Sequence, residues 1–523
     1  MHQNTPIEDA GPGTAEPADT GRGDAGREDA RIVVPLANAE ATERLGADLA
    51  LALELGDCVH LRGDLGAGKT TLARGLLRAL AEAEIDVPSP TFTLVQAYEG
   101  RLPALHADLY RVENSNDVTE LGLDEALDDG VVLVEWPERG ADATPLATLV
   151  VSLEDADGGR VATISGPAAD RAERSLLVRA FLELLGRGEA ERRHLTGDAS
   201  ARSYETLPDG TERPRIVMNA PAAPDGPPVH GGRSYSAVAH LAEDVRPFVA
   251  LATALRERGY HAPRVHAADM DAGLLLIENL GAGTIAEGGK PLEERYEIAA
   301  DLLADLHREP WSPRLPLPDG TEHTVPPYDR GAWTVEVSLL ADWYGRDVLD
   351  RELTQGERDE YEALWNDLVD RLEAEPATLV LRDFHSPNIV WRPEAEGRDR
   401  VGLIDFQDAL MGPGAYDLAS LAQDARVDVP ADMERRLVER YCLARFPEPD
   451  ADTVHAFREA YAVCALQRAS KILGIFVRLD LRDNKPLYRA HLPRIRAYAE
   501  RTLRHPRLTE IAGFYARVFG IGA

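Results

Sequence analysis

The sequence predicts an α/β domain followed by a larger α+β domain, and three observations lead to that prediction. A glycine-rich run, Gly63–Thr70, lies between a strand-like and a helix-like segment. A second motif, Arg382–Asn388, precedes a strand-like run that ends in an aspartate. Between these motifs, Ser165–Pro167 ends the first pattern of strands and helices, and a differently patterned half begins.

Changes in pattern along the chain place the boundaries. Residues 1–30 are rich in Gly, Ala, Pro, Asp and Glu without apolar periodicity, and we expect a disordered acidic tail. Residues 31–167 alternate strand-like and helix-like runs, as expected for an α/β sheet. Residues 168–192 are interpreted as a linker helix. Residues 193–523 open with strand-like runs and become mostly helical, which predicts the second domain.

Length and charge limit the classes of protein to consider. The chain has 523 residues, too many for one ordinary domain, and 44% of them are hydrophobic. A net charge of −33 argues against a broad nucleic-acid-binding face. We expect no membrane-spanning run and see no signal-peptide pattern. The three cysteines are far apart and fit a reducing compartment, so the expected location is cytoplasmic.

The first motif, Gly63–Thr70, matches the phosphate-binding loop G-x-x-x-x-G-K-[ST], or P-loop. Its glycines let backbone N–H groups turn toward phosphate oxygens. Lys69 would contact the β- and γ-phosphates of ATP, and Thr70 would ligate Mg²⁺. The following helix would point its positive end at the phosphates. The residues expected to bind the nucleotide here are Gly63, Asp64, Leu65, Gly66, Ala67, Gly68, Lys69, Thr70 and Thr71.

Two acidic residues at strand ends follow the P-loop. Val131–Glu135 has four aliphatic residues before an acid, the Walker B pattern that brings a carboxylate to the metal. Asp108 is a candidate to hold Mg²⁺ or orient water, and Lys69 and Asp108 are the candidate catalytic residues. Other interpretations remain open: Asp108 could cap a helix or pair with Arg111, and Glu135 could be a plain strand-end charge.

The order of these motifs resembles the TsaE family of bacterial ATPases. GDLGAGKTT, VPSPTFTLV, HADLYR and VEWPE carry the resemblance, which covers residues 31–167. It implies an ATPase subunit for threonylcarbamoylation of adenosine 37 in tRNA. The implied partners are TsaB- and TsaD-like proteins, with tRNA reached only indirectly. A small-molecule kinase is the alternative for this half.

The same resemblance implies roles for individual residues. Thr70 and Glu135 would hold Mg²⁺, and Asp108 would assist hydrolysis. Trp136 would lie beside the nucleotide, and Arg160 falls where the family has a nucleotide-contacting residue.

The second motif has the spacing of a protein-kinase catalytic loop. Asp383 would accept the proton of the attacking hydroxyl. Asn388, five residues on, would hold a metal ion, and Asp405, at the end of the next strand, would bridge metal and phosphates. His385 is interpreted as a residue that structures the loop, because Asp383 already supplies the base.

Weaker signals surround this motif. Leu274–Leu280 resembles the strand leading to a kinase hinge, whose backbone would bind adenine at Glu278. Leu195–Ser200, with the single glycine Gly197, would cover the phosphates. The strand Arg215–Asn219 lacks the lysine that protein kinases carry there.

Two further predictions concern helices. Asp417 is interpreted as an N-terminal helix cap. Glu336, Trp343 and Tyr344 lie on a predicted helix and either line an acceptor pocket or belong to core and surface.

This second half resembles the aminoglycoside phosphotransferase family of small-molecule kinases over about residues 195–430. Within it, LTGDAS, MNAP, RPFV and RDFHSPNIVW resemble the AmgK type, anomeric kinases of N-acetylmuramate and N-acetylglucosamine in cell-wall recycling. The resemblance implies a protein-kinase-like fold, ATP, Mg²⁺ and an amino-sugar acceptor. Choline, homoserine or an antibiotic stay open as the acceptor. Two other interpretations also stay open: the second half is a non-catalytic interaction module, or the whole protein is an antibiotic-resistance kinase with an accessory P-loop domain.

Overall fold

The chain divides into two units between Glu189 and Ala190. This computed structural model describes residues 31–522 apart from 114, 141–142, 197–201, 212, 223–225 and 449. The predicted acidic tail, residues 1–30, lies outside the described residues. The first unit is α/β and the second is α+β, in agreement with the predicted fold classes.

One seven-stranded sheet organises the first unit. Its strands are β1 (Ile32–Leu36), β2 (Cys58–Arg62), β3 (Val95–Tyr98), β4 (Ala104–Asp108), β5 (Val131–Glu135), β6 (Leu149–Ala156) and β7 (Gly159–Ser165). Its helices are α1 (Ala39–Ala50), α2 (Lys69–Ala81), α3 (Ser115–Thr119), α4 (Leu123–Asp129), α5 (Pro137–Gly140) and α6 (Ala169–Leu184). The strand order is β1-β7-β6-β2-β5-β4-β3. The four central strands, β6, β2, β5 and β4, are parallel, and β1, β7 and β3 add antiparallel edges.

The sequence explains the centre of this sheet. Val131–Val134 are fully buried, as expected for a parallel strand with both faces covered. Beside the sheet, α2 packs closely on α1 at Gly75, where an added Cβ would lie 1.8 Å from the carbonyl oxygen of Glu43. This close contact holds the helix that begins at the P-loop.

The helix that we interpreted as a linker, α6, packs within the first unit. Ser175 donates its hydroxyl proton to the carbonyl of Asp48 on α1 at 2.6 Å. Arg179 also binds the Asp48 carboxylate at 2.7 Å, and both side chains are buried. A paired, hydrogen-bonded charge of this kind ties α6 to α1.

The second unit begins with a five-stranded antiparallel sheet in the order β13-β14-β10-β9-β8. The strands of the whole second unit are β8 (Arg193–Leu195), β9 (Ser203–Leu207), β10 (Arg215–Asn219), β11 (Pro228–His230), β12 (Arg233–Ser234), β13 (Val265–Asp269), β14 (Leu274–Ile277), β15 (Ala286–Glu287), β16 (Lys290–Pro291), β17 (Arg314–Pro316), β18 (Glu322–Thr324), β19 (Ala377–Val380), β20 (Ile389–Trp391), β21 (Val401–Leu403) and β22 (Leu410–Pro413). Strands β19–β22 frame the second motif as two antiparallel pairs, β19 with β22 and β20 with β21.

Helices form most of the remainder of this unit. They are α7 (Tyr235–Ala239), α8 (Arg246–Glu257), α9 (Glu293–Arg308), α10 (Arg330–Leu339), α11 (Arg346–Leu349), α12 (Gln355–Glu373), α13 (Ala415–Ala422), α14 (Ala431–Arg445), α15 (Ala451–Leu481), α16 (Leu492–Thr502) and α17 (Thr509–Phe514). A π-helical turn, Leu340–Gly345, continues α10.

Helix α15 corrects one expectation from the sequence. We expected no apolar run as long as a membrane span, but α15, at 31 residues, is long and apolar enough by length and composition. In the structure, 89% of its most apolar window is buried inside the protein. It carries Gln467, Arg468 and Lys471, which are buried against polar groups of the second unit. This burial is that of a core helix.

Candidate active sites

The P-loop leaves β2 at the centre of the first sheet and enters α2 at Lys69. Gly63 has φ of +137°, and a Cβ there would lie 2.5 Å from the carbonyl oxygen of Leu153, so the turn requires glycine. Gly68 is the N-cap of α2, and no side chain caps the helix there. The first-turn N–H groups therefore stay free of a side-chain cap, as a phosphate site needs.

Lys69 is held inside this loop. Its Nζ donates to the carbonyl oxygens of Gly63 at 2.7 Å and Asp64 at 2.9 Å. The same nitrogen lies 3.6 Å from the centre of the Trp136 ring, a cation–π contact. Arg160 reaches the loop from β7 and donates to the carbonyl of Gly66 at 2.9 Å. The predicted residues Lys69, Trp136 and Arg160 therefore meet around one loop.

The other predicted loop residues occupy the same turn and the start of α2. Ala67 is buried, Thr71 is half-buried, and Leu65 is 75% exposed at the tip. Asp64 and Gly66 contribute the carbonyl groups that accept from Lys69 and Arg160.

Glu135 and Thr70 form the metal side of this site. The Thr70 hydroxyl lies 3.0 and 3.1 Å from the two carboxylate oxygens of Glu135, which is 2% exposed. His106 Nε2 lies 3.0 Å from one of these oxygens and is fully buried. A hydroxyl and a carboxylate are hard oxygen donors that suit Mg²⁺.

Asp108 lies next to Glu135 across the pairing of β4 and β5. It accepts a hydrogen bond from the Ser89 hydroxyl at 2.5 Å and from the backbone N–H of Tyr110 at 3.0 Å. Ser89 belongs to the proline-rich segment VPSPTFTLV, one of the motifs that carry the family resemblance. Arg111, the alternative partner of Asp108, lies 4.2 Å over the ring of Phe92.

The first site thus fits ATP with Mg²⁺. The uncapped helix start and the lysine suit phosphates, and the pair of Thr70 and Glu135 suits the metal ion. Asp108 completes the arrangement from the adjacent strand.

The second motif brings together its three predicted residues. The amide of Asn388 donates to the carboxylate of Asp405 at 3.1 Å and to the backbone carbonyl of Asp383 at 3.0 Å. Gln407 donates to the other oxygen of Asp405 at 2.8 Å. An amide oxygen and a carboxylate in this arrangement suit Mg²⁺, so the donor set fits a kinase metal site.

The Asp383 carboxylate can act as a base. Burial raises its pKa, but the charges of Lys471 and Arg382 outweigh that effect, and the pKa of Asp383 is lowered. The side chain keeps 37% of its surface exposed, which leaves it accessible to an acceptor hydroxyl.

Asp417 corrects a second expectation. It does not cap its own helix, whose N-cap is Gly414. Its carboxylate instead accepts the backbone N–H groups of Leu381 at 2.6 Å and Arg382 at 2.8 Å. Asp417 is fully buried, so its carboxylate binds the turn that precedes Asp383 rather than a helix end.

For Glu336 the sequence left an acceptor pocket, the core and the surface open, and the structure places it in the core: it is fully buried beneath the second motif. It forms an ion pair with Arg382, and Lys471 Nζ lies 2.8 Å from the same oxygen. Gln467 donates to the second oxygen at 2.7 Å. Tyr344, the other buried residue of the predicted set, belongs to the core.

The hinge residue Glu278 is held by its neighbours. His261 (Nε2–Oε1 3.6 Å), the N–H of Arg264 and the charge of Arg256 lower the pKa of Glu278 to about 2. Its own N–H donates to the carbonyl of Arg264 at 2.9 Å. Backbone recognition of adenine at this residue would therefore use its carbonyl oxygen. Gly197, predicted to cover the phosphates, lies outside the described residues.

Several residues of these sites were not predicted. His106 could have been found, since it shares with Asp108 the strand face that meets Glu135. Arg202 and Lys471 could not have been found from the motif, because they come from distant parts of the chain. Arg202 binds Asp405, which lies 203 positions later in the sequence.

Comparisons with known proteins agree with this division. The family described as threonylcarbamoyl adenosine biosynthesis protein TsaE matches residues 36–162. The phosphotransferase enzyme family matches residues 191–461.

Individual relatives match each unit separately. The N-acetylmuramate/N-acetylglucosamine kinase of Caulobacter vibrioides is 35% identical over 356 residues, 66% of this chain and 96% of the relative. The kinase of the same name from Pseudomonas aeruginosa is 31% identical over 332 residues, 61% of this chain and 86% of the relative. The tRNA threonylcarbamoyladenosine biosynthesis protein TsaE of Treponema pallidum is 40% identical over 130 residues, 24% of this chain and 96% of the relative.

Proposed function

Since the chain belongs to the TsaE family through its first unit and to the phosphotransferase enzyme family through its second, we propose that it performs two ATP-dependent functions. The first unit hydrolyses ATP in support of tRNA threonylcarbamoylation. The second transfers the γ-phosphoryl group of ATP to a hydroxyl of an N-acetyl amino sugar. Both functions belong in the cytoplasm, where ATP and tRNA are available.

In the first unit, the P-loop amides and Lys69 bind the phosphates. Thr70 and Glu135 would hold Mg²⁺, whose charge stabilises the phosphates during cleavage. Asp108 would orient water toward the γ-phosphorus, while Trp136 and Arg160 border the nucleotide. ATP binding and hydrolysis would reset a complex with TsaB- and TsaD-like partners, and this unit would reach tRNA only through that complex.

In the second unit, Asp383 accepts the proton of the sugar hydroxyl as that oxygen attacks the γ-phosphorus. The new oxygen–phosphorus bond forms while the bond to the bridging oxygen breaks, and ADP keeps that electron pair. Asn388 and Asp405 would hold Mg²⁺ at the phosphates. The observation that supports this function is the position of Asn388 between the other two residues. Its amide donates to the Asp405 carboxylate at 3.1 Å and to the backbone carbonyl of Asp383 at 3.0 Å.

The amino sugar is favoured as acceptor because two kinases named for N-acetylmuramate and N-acetylglucosamine match most of their own length. The same names support an N-acetylated sugar rather than an amine-rich antibiotic as the molecule that carries the acceptor hydroxyl.

A phosphoryl-transfer assay on the full chain tests the proposal. It offers ATP, Mg²⁺ and one acceptor from N-acetylmuramate, N-acetylglucosamine, choline, homoserine and kanamycin, with detection of the phosphorylated acceptor. We expect an amino-sugar phosphate, lost by at least about 10²-fold in Asp383→Asn, the scale of a general base. Phosphorylation of kanamycin or choline instead would contradict the assigned acceptor. No transfer to any acceptor would favour a non-catalytic module.

A further inference from the structure

The second unit lacks a charged residue where a kinase normally carries its phosphate-binding lysine. Strand β10, the third strand of the sheet, reads Arg215–Asn219. Its inner positions Val217 and Met218 are apolar and buried. The triphosphate of ATP carries more negative charge than one Mg²⁺ neutralises, so a further cation lowers the cost of holding it.

Arg202 lies at the metal side of this site. Its Nη1 is 3.2 Å from Oδ1 of Asp405, the predicted metal ligand, and its side chain is only 18% exposed. Burial raises the pKa of the nearby Tyr204 phenol, and the charge of Arg202 opposes that shift. Arg202 is thus a positioned cation rather than a freely moving surface arginine.

The register of the sheet explains how Arg202 reaches this place. Tyr204 on β9 lies directly opposite Met218 on β10 in an antiparallel pair, so the two side chains share one face of the sheet. Arg202 precedes Tyr204 by two positions and emerges on that same face. The charge missing from β10 is therefore present at the start of the neighbouring strand.

We propose that Arg202 is the phosphate-binding cation of the second site and takes the role of the absent strand lysine. This inference rests on the proposed kinase function. The guanidinium of Arg202 can donate two parallel hydrogen bonds to oxygens of the α- and β-phosphates. When ATP and Mg²⁺ bind, Asp405 faces the metal and Arg202 faces the phosphates.

The test uses the full chain carrying Lys69→Ala, so that the P-loop site does not contribute to nucleotide binding. Calorimetry measures the Kd of ATP, ADP and adenosine for this parent and for added Arg202→Met, Arg202→Lys and Arg215→Met. Sugar phosphorylation supplies the KM for ATP and for the acceptor. Arg215 lies on β10 itself and serves as the matched arginine control.

For Arg202→Met we expect ATP and ADP binding to weaken by about 10- to 100-fold, the range for a hydrogen bond to a charged group. Adenosine binding and the acceptor KM stay at the parent values, since Arg202 contacts neither. Arg202→Lys recovers part of the ATP affinity, and Arg215→Met leaves every constant unchanged.

Other outcomes overturn the inference. If Arg202→Met binds ATP as tightly as the parent, or more tightly, Arg202 merely pairs with Asp405 when no metal is bound. If adenosine binding falls in parallel with ATP binding, or Arg202→Lys recovers nothing, the role is structural. A parent that phosphorylates no acceptor and binds no ATP would instead refute the proposed kinase function itself.

Discussion

Replacing the buried Glu336 by glutamine removes one negative charge from beneath the kinase motif. In the wild type, Arg382 and Lys471 share one oxygen of this carboxylate, while Gln467 binds the other. In Glu336→Gln, the two cations remain close together in a buried place with no carboxylate between them. We expect the second unit to lose much of its stability.

Two routes give a similar magnitude for this loss. Breaking a buried ion pair by removing one partner costs about 3–5 kcal/mol. Independently, burial raises the pKa of Glu336, but Lys471 and Arg382 outweigh burial and bring it to about 2. Against about 4.3 in an unfolded chain, that shift corresponds to roughly 3 kcal/mol. Because the folded pKa is the lower one, this stabilisation is present above about pH 4.3 and is lost as the pH falls toward 2.

Urea unfolding followed by tryptophan fluorescence measures the effect. Of the six tryptophans, Trp136 alone lies in the first unit, so the signal reports mainly on the second. With an m-value of about 3 kcal/mol per M, the midpoint should fall by about 1 M or more at neutral pH. Glu294→Gln, which removes an exposed ion pair with Arg400, should shift it by at most a few tenths of a molar unit.

A double variant separates charge from packing. Adding Lys471→Met to Glu336→Gln removes the surplus cation, and we expect a smaller loss than in the single variant. The reasoning is refuted if Glu336→Gln is as stable as Glu294→Gln, or if the double variant is no more stable than the single one.

Three further variants test the two sites. Lys69→Ala should abolish ATP hydrolysis by the first unit and leave sugar phosphorylation intact, as measured by phosphate release and by sugar phosphate; loss of both would refute two independent sites. His106→Ala should raise the Mg²⁺ concentration needed for half-maximal hydrolysis by about 10-fold, because the Glu135 carboxylate loses its hydrogen bond with His106. His106→Gln should restore part of the Mg²⁺ affinity. An unchanged Mg²⁺ requirement in His106→Ala would contradict a role of His106 in positioning Glu135. Asp417→Asn should mainly lower the kcat of sugar phosphorylation and change the KM for ATP little. The reason is that the turn before Asp383 loses one of its two hydrogen bonds to this side chain, from the N–H of Leu381 or Arg382. A change in KM alone would contradict this prediction.

Local motifs made much of the candidate sites predictable. The P-loop and the second motif are contiguous, and each residue type has one chemical role at a fixed spacing. Glu135 and Asp108 were each predicted as an acid at a strand end, and the structure places them opposite each other on adjacent parallel strands. The short edge strand β3 was not predicted, because a loop rich in proline and hydroxyl residues runs directly into it.

Errors arose where a residue's role depends on a distant partner. Asp417 has the sequence position of a helix cap, yet its carboxylate is used by backbone groups 35 and 36 positions earlier. For Glu336 the sequence left a pocket, the core and the surface open, because a charged helix residue is usually exposed unless it has buried partners. Its partners Arg382 and Lys471 come from other elements, and their charges offset the free-energy cost of burying the Glu336 carboxylate.

By itself the sequence determined the order of the two domains, the two nucleotide motifs and the residues within them, because these depend on short spacings along one stretch of chain. The tertiary structure alone decided how the motifs are supported: His106 on Glu135, Asp417 under the turn before Asp383, and Arg202 at Asp405. Hydrogen bonds and ion pairs act over about 3 Å in space whatever the separation along the chain. Only the packing of strands and helices brings such partners within that distance.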